Sequence, residues 1–164
     1  MYFYCVHVRL ISAVLTVASI LLLPLPVSSR PEELLYGTWR LDLQRSSYGE
    51  RPPFRRVTFR VAPQEDGVRI TYDTVGLRGG VIHLEWNGKF DGRDYIVQGV
   101  DQYVTNAYRQ IDDLTYENVV RVDGRLTATT RITISPDRRT VTSVSTESMD
   151  GQTRTVTTVW QRLK

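Results

Sequence analysis

The sequence predicts an all-β protein, an antiparallel up-and-down β-barrel of about 8–10 strands. Apolar and polar residues alternate in Val57–Val61, Val68–Tyr72 and Leu126–Ile134, which is the period of a strand with one buried face. Short turn signals separate such segments, and no stretch after residue 36 keeps a helical period. Closing the sheet would remove its edges. A β-sandwich is the alternative, but it needs longer connections between sheets.

The first 29 residues are typical of a secretory signal peptide. Arg9 is their one charged residue, an apolar run follows from Leu10 to Val27, and Val27-Ser28-Ser29 supplies small residues before a cut after Ser29. An uncleaved membrane anchor is the alternative, although two prolines near the end of the run favour cleavage. We therefore expect a signal peptide at residues 1–29, a single barrel domain at 30–164, and a secreted or periplasmic location.

Composition excludes several classes of function. Cys5 is the one cysteine and lies in the predicted signal peptide, so the mature chain would have no disulfide and no thiol nucleophile. The net charge is +3 and acidic residues are interspersed among the arginines. No basic stripe is present, so we expect no nucleic-acid partner. After signal cleavage we expect no membrane contact, and the sequence names no protein partner.

Two irregular segments flank the predicted first strand, Tyr36–Leu43. Pro31–Leu35 predicts one helical turn with proline at its start, and in a barrel such a turn can plug the bottom. The polar segment Gln44–Pro53 is the longest predicted loop. Long loops of this kind often carry function, so this loop is a candidate portal.

Nine further strands are expected, and Asp-Gly pairs predict several tight hairpin turns between them. These turns are at Asp66-Gly67, Asp91-Gly92, Asp123-Gly124 and Asp150-Gly151. Gly88, which lies too close to the second of them to form another hairpin, is interpreted as a bulge. The expected strands are Arg55–Ala62, Val68–Thr74, Val81–Phe90, Tyr95–Gln98, Tyr103–Gln110, Thr115–Val122, Arg125–Ile134, Thr140–Ser145 and Thr153–Arg162.

The Gly37-Thr38-Trp39 motif on the first strand, with Arg162 on the last, resembles the calycins, which comprise the lipocalins and fatty-acid-binding proteins. The resemblance implies that Trp39 packs across the closed end and that Arg162 lies over it. Gly37, Trp39 and Arg162 would then form the base of the barrel. Such a pair is physically reasonable because an arginine stacks favourably on an indole ring. The alternative is that Trp39 is an ordinary core aromatic.

A closer likeness extends over nearly all of the predicted mature chain. Gly37–Leu41, Asp91–Tyr95 and Val122–Arg125 are similar to motifs of secreted bacterial lipocalin-like domains of unassigned function. The chain departs from the fatty-acid-binding proteins, whose Arg-x-Tyr near the end grips a carboxylate, because Thr158–Trp160 occupies that place. Its first loop is also too short for their two-helix lid. Fatty-acid binding in that manner is therefore not expected.

Aromatic and arginine side chains on several strands are the candidate ligand contacts. If they point inward, they would line a pocket with apolar walls and a few polar groups. Ordinary core packing and, for the arginines, solvent exposure are the alternatives. The candidates are Phe59, Tyr72, Trp86, Tyr103, Tyr108, Arg109, Tyr116 and Arg121.

No catalytic constellation is recognisable. His83 and Glu85 share one strand face, but the apolar Ile82, Leu84 and Trp86 on the other face are expected to point inward. One histidine without a carboxylate cluster does not make a metal site, so no metal and no cofactor are expected. An enzyme would need His83 or an acid such as Glu117 inside the cavity.

These observations lead to a ranked set of functions. The first is a secreted or periplasmic barrel that binds a small hydrophobic or amphipathic ligand without catalysis; the step from fold to function is analogy. The second is an envelope structural or interaction module whose barrel is filled with side chains. A barrel enzyme, such as a cyclase or isomerase, ranks lowest.

Overall fold

The computed structural model describes residues 31–47, 54–149 and 151–164. The predicted signal peptide at residues 1–29 lies outside these ranges, as does most of the predicted loop Gln44–Pro53. No helix in the described ranges is both long enough and apolar enough to span a bilayer.

Ten antiparallel strands form one closed barrel. Each strand pairs with the next in sequence, and the last pairs with the first. The predicted up-and-down barrel is therefore confirmed, and a β-sandwich is excluded. The strands are β1 (Gly37–Leu41), β2 (Phe54–Gln64), β3 (Gly67–Gly76), β4 (Val81–Gly88), β5 (Tyr95–Gln98), β6 (Val104–Asp112), β7 (Thr115–Val122), β8 (Arg125–Ile134), β9 (Thr140–Met149) and β10 (Gln152–Arg162).

The strand bounds agree with the prediction for some strands and differ for others. The bounds of β5, β7 and β8 are as predicted, whereas β9 continues to Met149. The turn between β2 and β3 is Glu65-Asp66, one residue earlier than predicted, because Gln64 pairs with Gly67.

Gly88 ends β4 and is not the predicted bulge. A Cβ atom there would lie 2.5 Å from the Trp86 ring and 2.7 Å from the Tyr95 ring. Glycine therefore lets these two rings close together, and their centroids are 5.7 Å apart.

The buried core includes a cluster of aromatic side chains. Trp39, Phe59 and Tyr72 lie opposite one another on β1, β2 and β3, and Trp39 is stacked on Phe59 at 5.9 Å. Trp160 reaches the same cluster from β10 and packs edge-to-face on Phe59, with ring centroids 4.8 Å apart. The predicted helical turn is confirmed as a short 3-10 turn, Pro31–Leu34.

Strand β5 is joined to its neighbours by few residue pairs. Two residue pairs join it to β4, Glu85 with Gln98 and Trp86 with Val97. Two more join it to β6, Tyr95 with Asn106 and Ile96 with Thr105. By contrast, β9 and β10 pair along ten consecutive positions. This short strand borders the largest interior space described below.

Candidate ligand cavity

The base of the barrel is sealed by Arg162. Its guanidinium donates to the backbone oxygens of Tyr36 at 2.7 Å, Leu34 at 2.5 Å and Arg138 at 2.8 Å. Its central carbon lies 4.3 Å from the centroid of the Trp39 ring. One side chain thus ties the lead-in turn, the β8–β9 loop and the end of β10 together over an aromatic floor.

Gly37 and Trp39 complete this base. The indole Nε1 of Trp39, whose side chain is fully buried, donates to the backbone oxygen of Leu35 at 2.9 Å. Gly37 has a φ of +132°, and a Cβ there would lie 3.0 Å from the Arg162 guanidinium. A larger residue would therefore be strained and would push Arg162 from its place. The structure brings the three residues of the proposed base together.

Above the base lies an interior cavity of about 270 Å³, bounded by β3 to β7. Its lining residues are mainly aliphatic and aromatic, and the polar ones are two asparagines, two tyrosines and Glu85. Val100 on the β5–β6 loop lines the cavity and is 39% exposed, so the cavity reaches the surface there. The lining residues are Tyr72, Leu84, Glu85, Trp86, Val97, Val100, Val104, Asn106, Tyr108 and Asn118.

A smaller space of about 50 Å³ lies towards the base, between Phe59, Phe90 and Trp160. Tyr72 and Tyr108 line both spaces, and their hydroxyl oxygens are 3.4 Å apart. The tyrosine pair therefore separates the cavity from the aromatic cluster below it.

Burial raises the pKa of both tyrosine hydroxyls. For Tyr72 the hydrogen bond with Tyr108 offsets part of this rise in pKa. The pKa of Tyr108 lies well above its usual value, because burial and the neighbouring Tyr72 both disfavour the phenolate. Both hydroxyls are thus neutral at physiological pH, and they can exchange hydrogen bonds with each other or with a ligand.

Two amide oxygens are buried beside the cavity. The Oδ1 atoms of Asn106 and Asn118 are buried and have no hydrogen-bond partner among the described residues. Asn118 lies opposite Tyr108 in the β6–β7 register, and its side chain is 7% exposed. Buried polar atoms are nearly always paired in native proteins, so these two oxygens identify a place where a partner is expected.

Glu85 is the one charged residue among the described lining residues, but Leu84 and Trp86 take the inward positions on β4, so the Glu85 carboxylate lies on the outer face. Its carboxylate accepts from the Asn87 amide at 2.7 Å and lies 3.4 Å from the Arg69 guanidinium. No arginine, lysine or histidine is among the described lining residues. The described wall of the cavity is therefore largely apolar and includes no basic side chain.

Three of the eight predicted ligand contacts lie elsewhere, so their predicted place in the cavity is wrong. Arg109 points outward and donates to Glu117 at 2.9 Å, because its neighbour Tyr108 takes the inward position. Arg121 also lies on the outer face and donates to Asp94 at 2.7 Å. Tyr103 precedes β6 and is 56% exposed.

The other five candidates face the interior. Tyr72, Trp86 and Tyr108 line the main cavity, and Phe59 lines the smaller space. Tyr116 is fully buried and packs on Phe90 with ring centroids 5.0 Å apart. It belongs to the core rather than to the cavity wall. Their role as ligand contacts stays a prediction.

The sequence interpretation missed the two asparagines. Asn106 and Tyr108 stand two residues apart on β6, and so do Tyr116 and Asn118 on β7. Residues two apart on a strand share a face, so each asparagine could have been recognised as a polar residue on an inward aromatic face.

The remaining candidate chemistry lies outside the barrel. His83 is exposed, and its Nδ1 lies 2.7 Å from Asp73 Oδ1 on the outer surface. Glu117 is held by Arg109. Within the described ranges, no three His, Cys, Asp or Glu side chains are grouped as metal ligands.

Comparison with known proteins places the barrel among calycin-like folds. The zebrafish ileal bile acid-binding protein, solved in complex with cholic acid, matches with a TM-score of 0.51 and 11% identity, over 79% of this chain and 99% of that chain. Siderocalin Ex-FABP matches with a TM-score of 0.42 and 12% identity, over 79% and 71%, which is too distant to carry an argument. No protein-family model and no curated protein matches the sequence. At this identity the likeness shows the fold alone.

Proposed function

We propose that this barrel is a secreted or periplasmic binding protein that holds one small, largely apolar molecule inside, without catalysis. The observation that carries the proposal is the open interior cavity of about 270 Å³ with its aromatic wall. Ligand sites are concave and mostly apolar, with a few placed polar groups. At the packing density of protein interiors, the cavity would hold roughly a dozen non-hydrogen atoms.

Two further observations support binding. The cavity meets the surface at Val100 and lies beside β5, whose short ladders make it the part of the wall that opens at least cost. The bile acid-binding protein with a similar fold was solved with a small amphipathic molecule, cholic acid. A small-molecule cargo is therefore consistent with this architecture, although analogy of fold does not identify the molecule.

The alternatives fit the interior less well. A structural module with a filled barrel has no use for an open space lined by buried amides. The two side chains considered for catalysis in the sequence, His83 and Glu117, both lie on the outer face in ion pairs. Binding is the function that uses the geometry observed.

The test is uptake of 1-decanol, a small neutral probe, by the protein without its signal segment. Titration calorimetry would measure the affinity, and Trp86, which lines the cavity, should report occupancy through its fluorescence. Native mass spectrometry of protein isolated from its own host should in addition detect a bound small molecule.

Cavity-filling variants locate the binding. We expect Val97→Trp to abolish uptake because the tryptophan side chain would occupy the cavity. Leu84→Phe should only weaken uptake, because it adds less side-chain volume to the cavity. The matched control is Val144→Trp, since Val144 is 42% exposed on β9 and is not a lining residue. Uptake that is equal in the filled and control variants would overturn the proposal, as would no uptake by the unaltered protein.

A further inference from the structure

We propose that one side of the barrel docks on an anionic lipid surface, at the end away from the base. The docking surface, called the rim flap below, comprises residues 54–57 at the start of β2 and residues 74–82 of the β3–β4 hairpin. It combines exposed aliphatic side chains with arginines that have no described ion-pair partner. Docking goes beyond the proposed function and does not depend on what the cavity holds.

The rim flap continues past the strands on either side of it. The ladder between β1 and β2 ends at Thr58, so residues 54–57 have no described strand partner on the β1 side. The ladder between β4 and β5 begins at Glu85, so Val81 and Ile82 have no described strand partner on the β5 side. The paired ends of β2, β3 and β4 therefore extend beyond the closed part of the wall.

The aliphatic side chains of the rim flap are exposed on both of its faces. Val81 is 65% exposed on the outer face, and Ile82 is 59% exposed on the face that points inward lower in the barrel. Leu77, in the turn between β3 and β4, is 51% exposed. Together with Phe54, these three residues line an open apolar groove of about 540 Å³. Contiguous exposed apolar surface of this kind marks an interaction site.

Three arginines give the rim flap a positive charge. Arg78 lines the groove, and Arg55 and Arg56 follow Phe54 at its edge. All three arginines are exposed, and none forms an ion pair with a described residue. The rim flap contains no acidic residue, and Asp73, which directly precedes its hairpin segment, is paired with a histidine at 2.7 Å.

This combination of charge and apolar surface favours an anionic lipid surface over other partners. Arginine binds phosphate groups through two parallel N–H donors, and aliphatic side chains beside it can enter the boundary between headgroups and acyl chains. A second copy of the chain is disfavoured, because a twofold interface would bring the same three arginines face to face. A small free anion would leave the apolar groove uncovered.

Acidic residues elsewhere on the same end of the barrel orient the docking. Asp101 lies in the β5–β6 loop and Asp123 in the β7–β8 turn. The backbone N–H of Asp123 donates to the backbone oxygen of Tyr103 at 2.8 Å, so the loop and the turn lie side by side. The β7–β8 turn is on the far side of the barrel from β3 in the strand order. An anionic surface repels these carboxylates, so the rim flap makes the contact.

Docking through the rim flap differs from the sequence-based expectation of no membrane contact. Alternation along β4 predicts that Ile82 points inward with Leu84 and Trp86. Ile82 is exposed because the wall is open at its level. Where a ladder between strands ends depends on tertiary pairing, which the alternation within one strand does not record.

The test is flotation of the protein with lipid vesicles. The protein lacks its signal segment, because the apolar run from Leu10 to Val27 would bind lipid by itself. The probes are vesicles of phosphatidylcholine alone and vesicles of an equimolar mixture with phosphatidylglycerol. We expect binding to the mixed vesicles that weakens as the salt concentration rises. Binding to phosphatidylcholine alone should be at least about tenfold weaker.

Variants assign the binding to the rim flap. Ile82→Asp should lower the partition coefficient on mixed vesicles by about tenfold or more, because a charge of the same sign as the lipid replaces an apolar contact. Arg78→Gln should lower it by about fivefold. The matched controls lie away from the rim flap: Ile111→Asp, at a residue 43% exposed on β6, and Arg131→Gln, at an exposed residue on β8. Both controls should leave the partition coefficient unchanged.

Hydrogen exchange supplies a second measurement that needs no variant. The backbone amides of residues 77–82 should exchange more slowly when mixed vesicles are present. The amides of residues 111–114, in and after the end of β6, should exchange at the same rate with and without vesicles. Equal slowing in both segments would overturn docking through the rim flap.

Three further outcomes would overturn the proposal. They are no binding to the mixed vesicles, equal binding by Ile82→Asp and the unaltered protein, and self-association without lipid that Ile82→Asp abolishes. The last outcome would assign the rim flap to a second copy of the chain. None of them bears on the uptake of 1-decanol, so the binding function is tested separately.

Discussion

The base of the barrel and the wall of its cavity differ in whether their buried polar groups have hydrogen-bond partners. At the base, Arg162 donates to three backbone oxygens and the Trp39 indole donates to a fourth. In the wall, the amide oxygens of Asn106 and Asn118 are buried with no described partner. Both regions belong to one closed barrel, so the difference comes from their side chains.

The difference fits the proposed function, in which the base stabilises the fold and the wall holds the ligand. A hydrogen bond to a charged donor contributes about 1.5–3 kcal/mol, whereas an unpaired buried acceptor costs about 1–3 kcal/mol. Natural proteins keep such costs mainly where function requires them. We therefore expect substitutions at the base to destabilise the fold and substitutions at the wall asparagines to change binding instead.

The largest effect should come from removing the floor of the base. Trp39→Ala should lower the free energy of unfolding by about 3–5 kcal/mol, because Trp39 is fully buried and its loss leaves a cavity against Phe59. Urea denaturation measures the change. Leu126→Ala is the control, since Leu126 is 58% exposed, and it should change the stability by less than about 0.5 kcal/mol. An equal loss of unfolding free energy in the two variants would contradict a stabilising role for the base.

Arg162→Met should destabilise by about 2–3 kcal/mol, because three carbonyl oxygens lose a charged donor and Trp39 loses its cation. The matched control is Arg109→Met, whose ion pair with Glu117 is largely exposed and should contribute no more than about 1 kcal/mol. A thermal denaturation series of the two variants would contradict this comparison if both lost the same stability.

The tyrosine pair predicts a loss of stability at high pH. The pKa values of Tyr72 and Tyr108 are raised in the folded state, so the unfolded chain releases these protons first. Their contribution is complete below about pH 10 and is lost above it, by about 1.4 kcal/mol per pH unit for each tyrosine until its folded pKa is reached. Denaturation midpoints between pH 9 and 11 should show the slope, and Tyr108→Phe should reduce it. A slope unchanged in that variant would contradict the assignment.

The smallest change in stability is expected for Asn118→Leu, which tests whether the Asn118 amide is unpaired in the folded protein. Asn118→Leu should leave the free energy of unfolding unchanged or raise it by up to about 1 kcal/mol, because it replaces an unpaired polar group with an apolar group of similar shape. Asn87→Leu is the contrasting control, since the Asn87 amide donates to Glu85 on the outer face; it should lower stability. A loss above about 1 kcal/mol in Asn118→Leu would indicate that its amide is paired in the folded protein.

Local turn chemistry explains why much of the fold could be predicted. Asp123 and Gly124 have φ values of 49° and 75°, which a two-residue hairpin turn of this class requires. That turn ends β7 and begins β8, and both strands have their predicted bounds. The Gly88 bulge was wrong because the constraint there is the packing of Trp86 and Tyr95, which is a contact between strands.

The candidate site was harder to predict because it depends on which face of each strand points inward. Tyr108 and Arg109 are neighbours and cannot both face the cavity, and the ion pair with Glu117 settles which one does. The position of Tyr103 depends on where β6 begins, which is the least reliable feature of a sequence interpretation. The cavity itself exists because side chains from five strands do not meet, and no local pattern records a gap of that kind.

The Arg162 contacts also impose an order on folding. They join residues 126 and 128 positions apart in the chain, whereas neighbouring strands elsewhere are linked by short hairpins that can form early. Closing so large a loop costs entropy that only the completed base repays. Strand β10, the last of the barrel to be synthesised, is therefore the strand that pairs with β1 and completes the base. Until β10 pairs with it, β1 has a free edge exposed to other chains.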